Sequence, residues 1–329
     1  MSPSPRALLD IAKAPAFLVT NLVNIRYLTG VSVSFGYLLI LPRQMIFFVD
    51  GRYTEMAAHS VADGISVRMH TDIDRYLKKV PICAFEEDHV TVSDLRKWKT
   101  RFADTKFVRA SDVVESFRRI KSPEELKHIR RAHRITEELL RRVPSALRIG
   151  TTERALVWKL KTWAQELGAD GMAFEPVVAF GTHTSEPHHQ ATTRALQKGH
   201  IVLVDVGAMY KGYCADRCQT FFTEEPTPVQ KRVFAAVQDA LSTVLDASKQ
   251  GMSTKKLDAL AREVLRKHGV PDFPHALGHG VGMEVHEGVT LSPRSQDEKL
   301  QKSEVIALEP AVYFPGKFGI RLEEMMVVK

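Results

Sequence analysis

The sequence predicts an α+β fold over residues 119–329, preceded by a smaller α/β domain over residues 1–118. Three observations carry this. Up to about residue 118, short apolar strand-like runs alternate with short helical stretches, the pattern of an α/β layer. Ser122-Pro123-Glu124-Glu125 then opens a helix with a capping serine, a proline at the first helical position and a glutamate at the third. Beyond it, strands come in runs with long helices segregated between them, and several strands carry an acid inside an apolar run.

In chain order, residues 16–20, 36–41 and 45–50 read as strands, the last two joined by a turn at Leu41-Pro42-Arg43-Gln44. A short helix is expected from Arg52 to Ala62, and strands at 65–67 and 82–85 complete the domain. It has no nucleotide-binding glycine loop and no internal repeat. The helix from Pro123 places Leu126, Ile129, Ala132, Ile135 and Leu139 on one face, with Arg130, Arg131, Arg134, Arg141 and Arg142 on a solvated one. Helices follow at 152–167, ended by Gly168; at 227–248, opened by the capping box Thr227-Pro228-Val229-Gln230; and at 253–268, ended by Gly269 and Pro271. Strands are expected near 174–180, 201–206, 213–222, 305–309 and 319–328.

The acids in those strands carry the chemistry. Asp205 lies inside Ile201-Val202-Leu203-Val204-Asp205-Val206, a run that reads as a buried strand. A lone buried carboxylate is costly and must find a cation. A turn through Gly207 to Gly212 returns the chain to Asp216, and such a hairpin can bring both carboxylates to one point. Val305-Ile306-Ala307-Leu308-Glu309 also ends in an acid, and alternation around Arg321-Leu322-Glu323-Glu324 puts Arg321 and Glu323 on one face and Glu324 on the other. The glycine-rich segment from His275 to Glu287 offers histidines as neutral ligands or proton carriers. Four acids converging with a histidine read as a metal site. Eight of the thirteen histidines fall between 183 and 286, the stretch that holds the first ligands.

Composition narrows the partners. The 329 residues suffice for two domains, and no apolar run approaches the roughly 18 residues of a bilayer span, so no membrane association is expected. The N-terminus, Met1-Ser2-Pro3-Ser4-Pro5-Arg6, does not read as a signal peptide. Cys83, Cys214 and Cys218 form no Cys-x-x-Cys pair, which favours a reducing cytoplasmic location. The net charge of +7 is dispersed among acids with no basic tail, so nucleic acid is not the expected partner.

The blocks Asp205-to-Asp216, Gly278-His279-Gly280, Leu308-Glu309-Pro310 and Arg321-Leu322-Glu323 resemble, in order and spacing, the pita-bread metallopeptidases, the family of Xaa-Pro aminopeptidase, prolidase, methionine aminopeptidase and creatinase. Asn24-Ile25-Arg26-Tyr27-Leu28-Thr29-Gly30 and Asp50-Gly51-Arg52-Tyr53 resemble signposts of the creatinase-type N-terminal domain. The resemblance implies a curved antiparallel sheet backed by helices, with the site on its inner face. It implies that Asp205, Asp216, His279, Glu309 and Glu323 hold two divalent ions, for which manganese suits the oxygen-rich set best and cobalt, zinc or iron also qualify. His188 and His286 match substrate-facing histidines, Glu309 is expected to pass on a proton, and Arg321 matches the arginine that proline-specific members carry beside the last ligand. His189 is expected to be structural, His275 to sit behind the ligands and His200 to lie at the surface. Phe180, Pro187 and Tyr213 are candidates for an apolar shelf under proline.

The implied activity is that of a metal-dependent exopeptidase acting on peptides with proline in second position, a Xaa-Pro aminopeptidase. The alternative is a Xaa-Pro dipeptidase, and the competing class is a catalytically inactive binding module. A homodimer is implied as well. One departure stands out. Proline-specific relatives follow the second aspartate with x-Thr-Arg-Thr, and here Asp216 is followed by Arg217-Cys218-Gln219-Thr220, which puts a weak thiol donor where a hydroxyl is usual.

Overall fold

The computed structural model describes residues 3–329; Met1 and Ser2, part of the stretch read above as no signal peptide, lie outside it. The chain divides into two compact units, with the division between Arg118 and Arg119.

The first unit is built on a mixed six-stranded sheet. Phe17–Val19 runs antiparallel to Tyr37–Leu41 and parallel to Ile82–Glu86. Tyr37–Leu41 and Gln44–Val49 form the hairpin expected from the Pro42 turn, with Leu41 opposite Gln44. Ile65–Met69 and Lys106–Ala110 close the two edges in parallel. The 106–110 edge strand escapes a reading for apolar runs because Lys106 and Arg109 are exposed and its other residues are only half-buried. Apolar side chains fill both faces of the sheet, Phe17 and Phe47 on one and Leu18 and Phe48 on the other, as period-two alternation requires.

In the second unit the helix Pro123–Ala146 starts with the expected capping box: Ser122 Oγ accepts from Glu125 N at 3.4 Å, and Ser122 N donates to Glu125 Oε2 at 2.9 Å. Leu126, Ile129, Ala132, Ile135 and Leu139 are all buried. Helices Glu153–Glu166, Pro228–Ala247 and Thr254–Lys267 follow, each with a side-chain N-cap. The strands are antiparallel throughout and lie in four small sheets. Ile201–Val206 is central in one, between Val177–Phe180 and Arg217–Phe222. Gly278–Gly280 and Val305–Leu308 are the inner strands of another, flanked by Thr290–Leu291 and Glu324–Val327. Ala311–Phe314 pairs with Phe318–Arg321, and Ala208–Tyr210 lies between Gly171–Met172 and Tyr213–Cys214. Val237, Ala240, Leu257, Ala261 and Leu265, fully buried under Ile306, Leu308 and Ile320, back the strands that carry the later candidate ligands. Each such leucine contributes on the order of 2 kcal/mol by burial. No helix among the described residues is long and apolar enough to cross a membrane.

Two expected strands are broken, and both breaks fall at site residues. The 213–222 run is interrupted at Ala215-Asp216, where the Asp216 amide donates to Met325 Sδ at 2.9 Å instead of to a ladder carbonyl. The 319–328 run is interrupted at Leu322-Glu323, where the Glu323 amide donates to Cys218 O at 2.9 Å.

Candidate metal centre and substrate cavity

Asp205 stands next to last in its strand, between Val177 on one neighbour and Cys218 on the other. The interruptions just described free Asp216 and Glu323 from regular pairing. His279 is the middle residue of Gly278-His279-Gly280 and lies opposite Ala307. A Cβ at Gly278 would lie 2.0 Å from Ala307 O, and one at Gly280 would lie 2.0 Å from Glu287 O. Only glycines on both sides of His279 let neighbouring backbone come this close. Glu309 follows Val305–Leu308, and its amide donates to Leu277 O at 2.8 Å.

These five side chains meet on the wall of one cavity of about 1260 Å³. His279 Nε2 is 3.6 Å from Asp216 Oδ2 and 4.0 Å from Glu309 Oε1. Ligand atoms of Asp216, His279 and Glu323 all lie within 4.8 Å of one another. Burial, and then the charges of Asp205 and Glu309, push the Asp216 carboxyl well up. Burial, followed by Asp216, Asp205 and Glu309, does the same to Glu323. Glu309 is pushed up to about 7, by burial first, with Arg321 opposing and Asp205 adding. Burial pulls His279 down to about 4, helped by His286, so its imidazole is neutral and offers a lone pair.

Asp205 Oδ1, Asp216 Oδ1 and Glu323 Oε2 are buried and accept no hydrogen bond from the described residues. Buried acceptors are almost always satisfied, so three orphaned carboxylate oxygens in one cluster mark a missing cationic partner. Hard oxygen donors with one neutral imidazole suit divalent cations. The residues present therefore fit a divalent-metal site.

Arg321, buried with the acids, donates through Nη2 to Asp205 Oδ2 and through Nη1 to Pro187 O and Tyr313 Oη, both at 3.0 Å. It supports Asp205 rather than its sequence neighbour Glu323. His188 and His286 line the same cavity and are exposed to it. The His286 ring stands edge-on to His279 with centroids 4.1 Å apart. His189 is buried, with Nε2 facing Glu153 Oε2 at 3.0 Å and Nδ1 facing Glu186 Oε2 at 2.7 Å. His275 Nε2 faces Tyr313 Oη at 3.2 Å, and its Nδ1 lies 3.9 Å from Glu309 Oε2, which places it behind the ligands.

Several expectations need correcting. Phe180 is fully buried in the core, and Tyr213 turns its hydroxyl to Glu125 at 3.2 Å, so of the three shelf candidates only Pro187 lines the cavity. The apolar wall comes instead from Phe174, Pro176 and Val177. His200 is half-buried, with its ring against Gly181, rather than at the surface. Cys218 makes no hydrogen bond to Asp216; its thiol reaches Arg321 O at 3.8 Å, and Asp216 Oδ1 stays without a donor. Sequence reasoning missed Phe174 and Tyr313. Phe174 lies just before the Val177–Phe180 strand, and Tyr313 is eight residues before Arg321 on the paired strand.

A groove that gathers four acids and an imidazole beside two exposed histidines, in a chain with a separate α/β unit before it, defines a metal-dependent hydrolase. The chain belongs to metallopeptidase family M24, which residues 127–329 match, and residues 5–120 match the creatinase/prolidase N-terminal domain. An uncharacterized peptidase of Bacillus subtilis (strain 168) is 33% identical over 322 residues, covering 94% of this chain and 90% of that protein. The structure of a Xaa-Pro dipeptidase from Bacillus anthracis superposes with a TM-score of 0.94 at 30% identity, covering 99% of this chain and 94% of that one. That of an X-Pro aminopeptidase from Thermotoga maritima gives 0.89 at 33% identity, with 98% and 95% covered.

Proposed function

We propose that this peptidase removes the N-terminal residue from peptides with proline in second position, as a Xaa-Pro aminopeptidase. Asp205, Asp216, His279, Glu309 and Glu323 would hold two divalent ions, with manganese the best match to the donors. When bound, the ions supply Lewis acidity that polarises the scissile carbonyl and acidifies water. Glu309, on the cavity wall beside His279, accepts a proton and passes it toward the departing nitrogen. His188 and His286 hydrogen-bond to the reacting peptide from the cavity wall. Arg321 holds Asp205 in place. Phe174, Pro176 and Pro187 offer the apolar surface that a pyrrolidine ring requires, since the bond before proline has no N–H to recognise.

The observation that carries this reading is the shared wall: the acid cluster, the two histidines and the apolar residues all border one cavity. That cavity runs on to Arg154, Trp158 and Lys161, which favours peptides longer than two residues. A Xaa-Pro dipeptidase is the second reading, favoured by the names of relatives such as the Xaa-Pro dipeptidase of Pyrococcus furiosus. The three cysteines, all buried and without a Cys-x-x-Cys spacing, fit a cytoplasmic enzyme, and a homodimer completes the proposal.

A hydrolysis panel of Xaa-Pro dipeptides, Xaa-Pro tripeptides and their Xaa-Ala counterparts, with manganese added, tests it. The expected result is faster cleavage of Xaa-Pro tripeptides than of either alternative. Preference for dipeptides selects the second reading, and faster cleavage before alanine refutes proline specificity.

A further inference from the structure

His188 sits in a segment without regular secondary structure, between the short turn Gly181–Ser185 and the strand Ile201–Val206. That segment is tied to a group that is not one of the clustered acids. Glu153, the first residue of helix Glu153–Glu166, is fully buried. Its Oε1 accepts from Phe180 N at 2.9 Å and faces His183 Nδ1 at 2.8 Å. Its Oε2 accepts from Thr192 N at 2.8 Å and Thr192 Oγ1 at 2.7 Å and faces His189 Nε2 at 3.0 Å. Burial alone would raise this carboxyl, but the bonds from Thr192, His189 and His183 outweigh it and hold it at about 2.

Glu153, His183 and His189 also have the composition of a metal site. Five protein groups nevertheless occupy a carboxylate with about four lone-pair positions, so no acceptor capacity is left for an ion. The arrangement is an anchor. It ties together residues 180, 183, 189 and 192, and His188 lies within that span. His189 is buried with its Nε2 on Glu153, and His188 is exposed and lines the cavity. From the other side Arg321 Nη1 grips Pro187 O at 3.0 Å. Residues 187–189 are thus held between the arginine that supports Asp205 and the glutamate that starts a helix.

We propose that Glu153 is a positioning residue for the hydrolytic reaction, acting through His189 to hold His188 at the substrate. The proposal rests on the substrate-facing role given to His188 above. Glu153→Gln keeps the size but turns an NH₂ group toward N–H and O–H donors, so one side of the anchor is lost. The test is a double-mutant cycle on manganese-loaded enzyme with a Xaa-Pro tripeptide, using E153Q, H188A and E153Q/H188A. The expected result is a kcat loss of roughly 10- to 100-fold for E153Q, because small misplacement of a reacting contact costs that much, with KM and metal content unchanged. The double variant should be no slower than H188A. A general structural role would instead give losses that multiply, and that outcome overturns the proposal, as does E153Q turning over like wild type. A fully active H188A removes the role given to His188 and this proposal with it, whereas multiplicative losses leave that role standing. If E153Q does not fold, Thr192→Val deletes one donor and spares the carboxylate. Its loss should be smaller and likewise absent in the H188A background; no loss, or one that adds to that of H188A, overturns the proposal in that case.

Discussion

Glu309→Gln should break the reaction and stabilise the metal-free protein. Glu309 shares its cavity with three other buried acids, and its carboxyl is pushed from 4.5 to about 7, chiefly by burial, with Asp205 adding to the rise and Arg321 opposing it. For an acid raised on folding, the folded state holds its proton more tightly than the unfolded state does. The stabilisation is therefore fully present below about pH 4.5 and is lost as pH rises through about 7. At about 1.4 kcal/mol per pKa unit, the loss is about 3 kcal/mol. Glutamine has no proton to lose. Chelated E309Q should match chelated wild type near pH 4.5 and exceed it by about 3 kcal/mol at about pH 8. Divalent metal should reverse the order, because an ion at about 1,000 times its Kd adds about 4.1 kcal/mol to the protein that binds it, more than that difference. Turnover should fall by about 100-fold or more, since the amide cannot take the proton. Urea denaturation of chelated protein across that pH range, alongside peptide hydrolysis, reads both effects. A stability difference that does not change with pH refutes the electrostatic reasoning, and near-normal turnover refutes the proton-transfer role.

Elemental analysis of active protein should find about two divalent ions per chain, lost to chelators together with activity; protein that is active and metal-free would contradict the centre. Arg321→Met leaves Asp205, Pro187 O and Tyr313 Oη without their buried donor and should cost about 3–5 kcal/mol in metal-loaded protein, read as a lowered denaturation midpoint; an unchanged midpoint counts against the role given to Arg321. Light scattering should give the mass of a homodimer, and a monomeric mass rejects that assembly.

The strands of the candidate ligands were legible because an acid inside an apolar β run is conspicuous: Asp205 and Glu309 announce themselves. The geometry of Asp216 was not legible, because it depends on a sulfur 109 positions away, on Met325. Arg321 was read as a neighbour of Glu323 on one strand face, yet its charge goes to Asp205, 116 positions away. Local alternation says which way a side chain points and not what tertiary folding brings to meet it. The shelf was partly readable. Val177 faces the cavity, and Phe180, an odd number of positions later in the same strand, must face the other way, so periodicity already argued against Phe180. His200 was misplaced because a neighbouring glycine, Gly181, with φ of +59°, lets the backbone close onto its ring, a contact no local pattern announces.

The spread of the donors has a consequence for how the protein is made. The six-stranded sheet of the first unit is complete once Ala110 has emerged from the ribosome. The second unit differs, because Asp205 needs Arg321, 116 residues later, and Cys218 O receives the amide of Glu323. At about 5–20 residues per second, translation leaves the first acid without its counter-charge for roughly 6–23 seconds. During that interval Ile201–Val206 is an apolar strand with a carboxylate it cannot bury cheaply, and pairing so distant in sequence is slow even after release. Cation uptake should therefore come late and as a single event. A nascent chain that stops short of Glu323 has no complete cage, and its exposed strand is open to proteases and to other unfinished chains.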